Sequence, residues 1–154
     1  MTPGVTPIAR PARRSGVPLR VLALVTAALL AVDAYVHLDD AHLYREVATS
    51  SLSQATLFRV EAIVAIVVAV VLVIWPHPVV WVVAALVAGS AAGAVFLYTY
   101  VDIGTLGPLP DMYEPTWALP GKRLSGAAEI AATVLAVVGF LVAVRGRRRP
   151  APRH

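Results

Sequence analysis

The chain has 154 residues, of which 58% are hydrophobic and only 14% are charged, and its mean hydropathy is +0.75. A soluble domain carries about 25% charged residues, so this composition argues against a water-soluble protein and indicates that lipid surrounds most of the chain. The sequence contains no cysteine, which excludes disulfides, thiol chemistry, covalent c-type haem and cysteine-ligated metal centres.

Four apolar stretches predict transmembrane helices, at residues 19–38, 57–75, 79–101 and 124–144. Each is close to the ~20 residues that cross about 30 Å of hydrocarbon. Their valine content would favour strands in water, but an open sheet in lipid leaves backbone groups without hydrogen bonds. We therefore predict an all-α fold, a polytopic transmembrane four-helix bundle that spans residues 19–144.

The first stretch has a second interpretation, a cleaved signal peptide. Basic residues precede its apolar core, and Val32-Asp33-Ala34 fits a small-residue cleavage site. The basic segment is long, however, and the apolar run continues to Leu38, so we favour a retained helix. Cleavage would leave three spans and would not change the orientation of the others.

The second and third stretches are joined by the short turn Pro76-His77-Pro78, since proline ends one helix and begins the next. Trp75 and Trp81 flank this turn. Indole rings prefer the boundary between lipid and water, so we expect both rings at the membrane interface.

Small residues recur at four-residue spacing in the third stretch, at Ala85, Gly89 and Gly93. Such a strip allows another helix to approach closely. Its partner is either a neighbouring helix of the same chain or another membrane protein, including a second copy of this one. The pattern alone leaves these alternatives open.

The segment before the last stretch, residues 102–123, carries four prolines, and we expect an irregular loop there. Asp102, Tyr113 and Trp117 in this loop are candidates to cover a site at the end of the bundle.

Basic residues are concentrated near the two termini, and the acidic residues lie toward the opposite face. The terminal arginines are Arg10, Arg13, Arg14, Arg20, Arg145, Arg147, Arg148, Arg149 and Arg153. Lys and Arg mark the cytoplasmic side, so we predict cytoplasmic N- and C-termini in the plasma membrane. Residues 1–18 form a basic disordered tail in this prediction, and residues 145–154 form a second basic tail. We expect no nucleic-acid binding, because no recognition motif accompanies the arginines.

Three carboxylates from three spans lie at similar depth near the outer surface: Asp33, Glu61 and Glu129. An ionisable group in a span is costly, so it normally faces protein or a wet cavity. Asp33, His37 and Asp40 follow the spacing i, i+4, i+7, which places them on one face of a helix. We therefore predict an outer polar cluster of these five residues.

Three interpretations of this cluster stay open. The first is structural ion pairing, in which Arg59, Lys122 and Arg123 neutralise the acids. The second is a cavity, open to the outside, that handles protons or a substrate. The third is a metal site, for which Asp33 and His37 are the candidate ligands, because imidazole and carboxylate together suit Zn²⁺, Mn²⁺ or Cu²⁺. No other cofactor is expected.

Three segments, residues 34–38, 109–117 and 122–129, resemble those of small uncharacterised four-span integral membrane proteins of high-GC actinobacteria. Such proteins tend to have an outward histidine near the end of the first span, a proline-containing outer loop that ends in tryptophan, and a Ser-x-x-x-Glu sequence that opens the last span. The resemblance covers most of residues 19–144. It implies a plasma-membrane location and a shared outer site, and it implies no reaction.

These observations predict an accessory or structural component of the plasma membrane. One alternative is a small proton- or cation-coupled transporter that uses Asp33, Glu61 and Glu129, and a second is a metal-binding membrane protein. We do not expect an enzyme, because the sequence contains no nucleophile elbow, phosphate-binding loop or HExxH motif.

Overall fold

The computed structural model describes residues 17–147, and these residues form four α-helices without a β-strand. The helices are α1 (Val17–Asp40), α2 (Gln54–Ile74), α3 (Pro78–Tyr100) and α4 (Pro120–Arg147). All four are long and apolar enough to cross a membrane. The prediction of an all-helical, multi-pass chain is therefore confirmed.

Two helices begin several residues before the apolar stretches that predicted them, because polar residues cap or open them. The Ser53 side chain accepts a hydrogen bond of 3.1 Å from the amide of Thr56, which allows α2 to begin at Gln54. Helix α4 begins at Pro120 and includes charged residues in its first turn, and proline fits that position well.

The two basic tails lie almost entirely outside the described residues. Of the tail predicted at 1–18, only residues 17 and 18 are described, and they belong to α1. Of the tail predicted at 145–154, residues 145–147 are described, and they form the last turn of α4.

The helices form a bundle in which α1 packs along both α2 and α4, and α3 packs along α4. Helices α2 and α3 are the least closely packed of the neighbouring pairs. We call the end that carries loops 41–53 and 101–119 the long-loop end, and the end that carries the turn at 75–77 the short-turn end. The cluster residues predicted from sequence lie on α1, α2 and α4 toward the long-loop end.

The interior is filled mainly by alanine, whereas most of the large apolar side chains lie on the surface. The most deeply buried alanines are Ala62, Ala65, Ala84, Ala88, Ala132 and Ala136. Exposed positions on the helices carry side chains such as Leu24, Ile63, Val67, Leu86 and Val134. Small residues inside allow close helix approach, and large apolar residues outside suit contact with lipid tails.

The Trp81 side chain is turned into the bundle, and its expected depth at the membrane interface stays a prediction. Its side chain is fully buried at 0% exposure, whereas the Trp75 side chain is 57% exposed and stacks on His77 at a ring distance of 4.6 Å. The Trp81 indole lies against α4 at Gly139, where a Cβ atom would overlap the ring. Trp81 is therefore a packing residue between α3 and α4.

The small-residue strip of α3 divides between two environments. Gly89 faces the Thr133 side chain of α4, and a Cβ at Gly89 would lie 3.5 Å from it, in ordinary contact. A Cβ at Gly93 would meet nothing within 4 Å, and Ala85 is partly buried against the core. Gly89 thus serves packing inside the chain, and Gly93 remains open on the surface.

Candidate functional site

Four of the five predicted cluster residues converge in the half of the bundle next to the long-loop end. Asp33 and His37 are one helical turn apart on α1, Glu61 lies two turns into α2, and Glu129 lies in the third turn of α4. This convergence depends on helix direction, because the end of α1 meets the beginnings of α2 and α4. We call these four residues the acid–histidine cluster.

The imidazole of His37 lies between two carboxylates. Its Nδ1 atom is 3.1 Å from Asp33 Oδ1 and 3.4 Å from Glu61 Oε2. One side-chain nitrogen or oxygen from each of these three residues lies within 4.8 Å of the other two. The Phe58 ring packs edge-on against the imidazole at a centroid distance of 4.8 Å, which restricts its orientation.

The carboxyl groups of the cluster are largely buried; Asp33 is 1% exposed and Glu129 is 0% exposed. Although His37 Nδ1 lies close to Asp33 and Glu61, no donor among the described residues meets a carboxylate oxygen of Asp33, Glu61 or Glu129 in hydrogen-bond geometry. The Asp33 carboxyl lies close enough to those of Glu61 and Glu129 for a shared proton to form a hydrogen bond with either. Three acids therefore adjoin one another inside the bundle.

Within residues 17–147, no Lys or Arg pairs with this cluster, so the predicted ion pairing with Arg59, Lys122 and Arg123 is not observed. The side chains of Arg59 and Arg123 are exposed. Lys122 instead pairs with Glu114, at 3.6 Å from its Oε2 atom. Arginines at helix ends in a membrane reach toward water more readily than they turn inward, which explains why sequence proximity did not produce pairing.

A cavity of about 210 Å³ connects the cluster with the long-loop end. His37 and Glu61 line its inner part, and Lys122 and Glu114 line its outer part. Most of the wall is apolar and comes from α2 and α3, including Leu57, Phe58, Ala91, Ala94, Val95 and Tyr98. This wall follows the seam between the two least closely packed helices, where alanines leave space.

A network of hydrogen bonds fixes the loop 101–119 over this cavity. The Tyr44 hydroxyl donates to both carboxylate oxygens of Glu114, at 3.1 Å each, and the Glu114 amide donates to the Tyr98 carbonyl at 2.9 Å. Lys122 Nζ donates to the Glu114 carbonyl at 2.5 Å. Burial and the neighbouring Glu114 carboxylate raise the pKa of Tyr44, so its phenol keeps the proton that it donates.

The predicted loop residues have different roles from the ones expected. Trp117 packs on Phe96 at 5.4 Å and donates from Nε1 to the Tyr100 hydroxyl at 3.1 Å, which anchors the loop to α3. Asp102 accepts a hydrogen bond from the Gly104 amide in a local turn, and Tyr113 is exposed. Neither of the last two lines the cavity.

Three residues at the cavity differ from the sequence-based cluster. Asp40 lies at the end of α1 against Gly121 of α4, and it lines the cavity without joining the acid–histidine cluster. Tyr44 and Glu114 were missed, although they hold the loop over the cavity. Their contact joins residues 70 positions apart, so no local pattern in the sequence signals it.

No protein-family model, curated protein or solved structure matches this chain. The resemblance to actinobacterial four-span proteins therefore stays a prediction, and the site is interpreted from its own geometry.

Proposed function

We propose that this chain is an accessory component of the plasma membrane that binds a cation from the outer side, with both termini in the cytoplasm. One observation carries this proposal. Three carboxyl groups and one imidazole adjoin one another inside the bundle, and no lysine or arginine among residues 17–147 neutralises them. Ionised acids in a low-dielectric interior are stabilised by a positive partner, and a bound cation would supply one in addition to the single imidazole of His37.

The cavity supports access from the long-loop end. It leads from that end to His37 and Glu61, whereas the core toward the short-turn end contains buried apolar side chains, including Leu30, Leu72 and Trp81. A cation that enters past Glu114 would reach the cluster without crossing this apolar core. Binding without transfer across the membrane therefore suits this conformation best.

The proposed orientation rests on the arginine-rich termini, which favour the cytoplasmic side. A phosphatase reporter that works only outside the cytoplasm, fused after Arg149, is expected to be inactive. The same reporter inserted at Gly107, an exposed turn of the loop 101–119 with φ of +59°, is expected to be active. The opposite pattern of activities would overturn the orientation.

Cation binding is tested by the thermal unfolding of protein purified with a chelator and placed in lipid nanodiscs. The probes are NaCl, CaCl₂, MnCl₂, ZnCl₂ and tetraphenylphosphonium, each at constant ionic strength. A cation at 100 times its Kd stabilises the folded state by about 2.7 kcal/mol. At least one probe is expected to raise the unfolding temperature of the wild type and not that of Asp33→Asn.

The matched control is Asp39→Asn, which removes the same charge from an exposed position of the same helix. It is expected to respond to cations as the wild type does. If no probe stabilises the wild type, or if the two variants respond equally, the proposed function is wrong.

Cation-coupled transport is the second candidate, because acids within membrane spans frequently mark ion pathways. Cation uptake by vesicles that contain the reconstituted protein distinguishes transport from binding alone. Uptake of the stabilising cation that requires Glu129 would favour transport, and binding without uptake would favour the accessory role.

A further inference from the structure

The acid–histidine cluster contains a set of donor atoms that suits one class of cation. We propose that Asp33, His37 and Glu61 bind a single divalent transition-metal ion, of the type represented by Zn²⁺ or Mn²⁺. This inference rests on the proposed function, because it names the cation that the cluster would bind. It is argued from donor chemistry, donor spacing and burial.

Donor chemistry separates transition metals from the other cations. Ca²⁺ requires six to eight oxygen ligands and Mg²⁺ an octahedral set that is mostly water, whereas this cluster centres on an imidazole nitrogen. Imidazole with carboxylates suits Zn²⁺ and its first-row neighbours. The His37 Nδ1 atom lies close to oxygens of both acids and also 3.1 Å from the Asp33 main-chain carbonyl, to which it donates while it carries a proton, so metal binding at Nδ1 would replace that hydrogen bond.

Donor spacing fits a metal polyhedron. Zinc bonds to nitrogen and carboxylate oxygen are about 2.0–2.2 Å long, and in a tetrahedron such ligands lie about 3.3–3.6 Å from one another. The His37 nitrogen is 3.1 Å from Asp33 Oδ1 and 3.4 Å from Glu61 Oε2. Small side-chain rotations would therefore bring all three atoms to a common ion.

Burial provides an independent observation that points to a ligand. The Asp33 side chain is 1% exposed, both of its carboxylate oxygens lack a hydrogen-bond partner, and it faces the imidazole. Burying a carboxylate without a positive neighbour costs several kcal/mol of folding free energy. Metal ligands bind in their deprotonated forms, so with Asp33 and Glu61 ionised and the imidazole neutral the three ligands carry a formal charge of about −2, which a divalent ion balances.

Three protein ligands leave an open coordination position. His37 and Glu61 line the cavity, so water or a small external ligand reaches the ion from the long-loop end. Sites with three protein ligands and one exchangeable position are characteristic of zinc that reacts or exchanges, in contrast to fully enclosed structural zinc. The proposed ion would therefore keep one position for water or an external ligand.

Glu129 is a positioning residue in this arrangement. It lies beside Asp33 and is 0% exposed. Groups that orient a metal ligand commonly change affinity by 10- to 100-fold when they are replaced. The expected loss for Glu129→Gln is therefore smaller than that for a variant of a direct ligand.

The test measures Zn²⁺ and Mn²⁺ binding to the full chain in nanodiscs by isothermal titration calorimetry. The purification tag contains no histidine, because a polyhistidine tag would itself bind these metals. The wild type is expected to bind one ion per chain. His37→Ala is expected to weaken binding about 100-fold or more, and His42→Ala, which changes an exposed histidine, is expected to bind like the wild type.

Zinc K-edge X-ray absorption on the wild type provides a readout that does not depend on any variant. One imidazole among oxygen ligands is expected, and thiolate sulfur is excluded because the chain has no cysteine. Equal binding by His37→Ala and His42→Ala, or a spectrum without imidazole, would overturn the metal site.

The calorimetric and thermal results together separate this inference from the proposed function. If Na⁺, Ca²⁺ or tetraphenylphosphonium stabilises the protein through Asp33 and neither Zn²⁺ nor Mn²⁺ binds, the transition-metal inference is wrong and cation binding stands. If none of the five probes binds, both are wrong.

Discussion

Replacing Glu129 by glutamine tests whether the buried acids serve binding or stability. In the metal-free protein, Glu129 is 0% exposed and its carboxylate oxygens accept no hydrogen bond within the described chain. Glutamine has nearly the same volume and cannot ionise, so the substitution removes the free-energy cost of burying an acid, whether that acid is ionised or has to take up a proton, and it opens no cavity. We expect the metal-free variant to be more stable than the wild type.

The magnitude follows from burial and depth. A carboxylate at the centre of a membrane helix costs about 2.5–3.5 kcal/mol, and less near the interface. Glu129 lies in the third turn of α4, so we expect a gain of about 1–3 kcal/mol. A structural ion pair gives the opposite sign, because removal of one partner leaves the other charge buried and destabilises by about 3–5 kcal/mol.

The assay is reversible unfolding in mixed micelles with increasing dodecyl sulfate, at neutral pH and in the presence of a chelator. Glu46→Gln is the control, because it makes the same chemical change at an exposed loop position; such changes are usually within about 0.5 kcal/mol of zero. Metal-free Glu129→Gln that is equal in stability to the wild type, or less stable, would refute the argument from buried charge.

Two further predictions concern packing and the loop over the cavity. Gly139→Ala places a Cβ inside the Trp81 ring, and overpacking of this kind costs about 1–3 kcal/mol. Gly93→Ala makes the same exchange where nothing lies within 4 Å. The difference in unfolding free energy between the two variants therefore measures the cost of the overlap with the Trp81 ring, and a difference of zero contradicts the contact between Gly139 and Trp81. Tyr44→Phe removes both hydrogen bonds to Glu114, which is worth about 1–3 kcal/mol for a charged acceptor. Cleavage of the loop 101–119 by a soluble protease is expected to accelerate by fivefold or more, and an unchanged rate would show that other contacts hold the loop.

The fold was predictable because its governing constraint is local. Backbone groups in lipid have to be paired within their own segment, so each apolar stretch predicted its own helix without knowledge of its neighbours. The bounds of α2 and α4 were missed by a few residues. Capping by Ser53 and the charged first turn of α4 extend these helices into sequence that is not apolar.

The site residues on the helices were predictable from their spacing and their depth within each span. The residues that meet through contacts between distant segments were not predictable. Asp33 and His37 share a helical face by their spacing, and Glu61 and Glu129 share their depth. Tyr44 and Glu114 meet only because two loops cover the same end of the bundle. For Trp81 the sequence predicted only interfacial depth; its burial against Gly139 of α4 depends on a contact between distant helices that no local pattern signals.

The turn at residues 75–77 has a mechanical consequence for the cluster. It joins α2 and α3 at a hinge, and Glu61 lies about 21 Å along α2 from that hinge, at ~1.5 Å per residue. A change of only 2° in the angle between the two arms would therefore displace the Glu61 carboxylate by about 0.7 Å, which is a third of a metal–oxygen bond length of about 2.1 Å. Substitutions at His77, on the opposite side of the membrane, would then alter the geometry of a site that they do not touch.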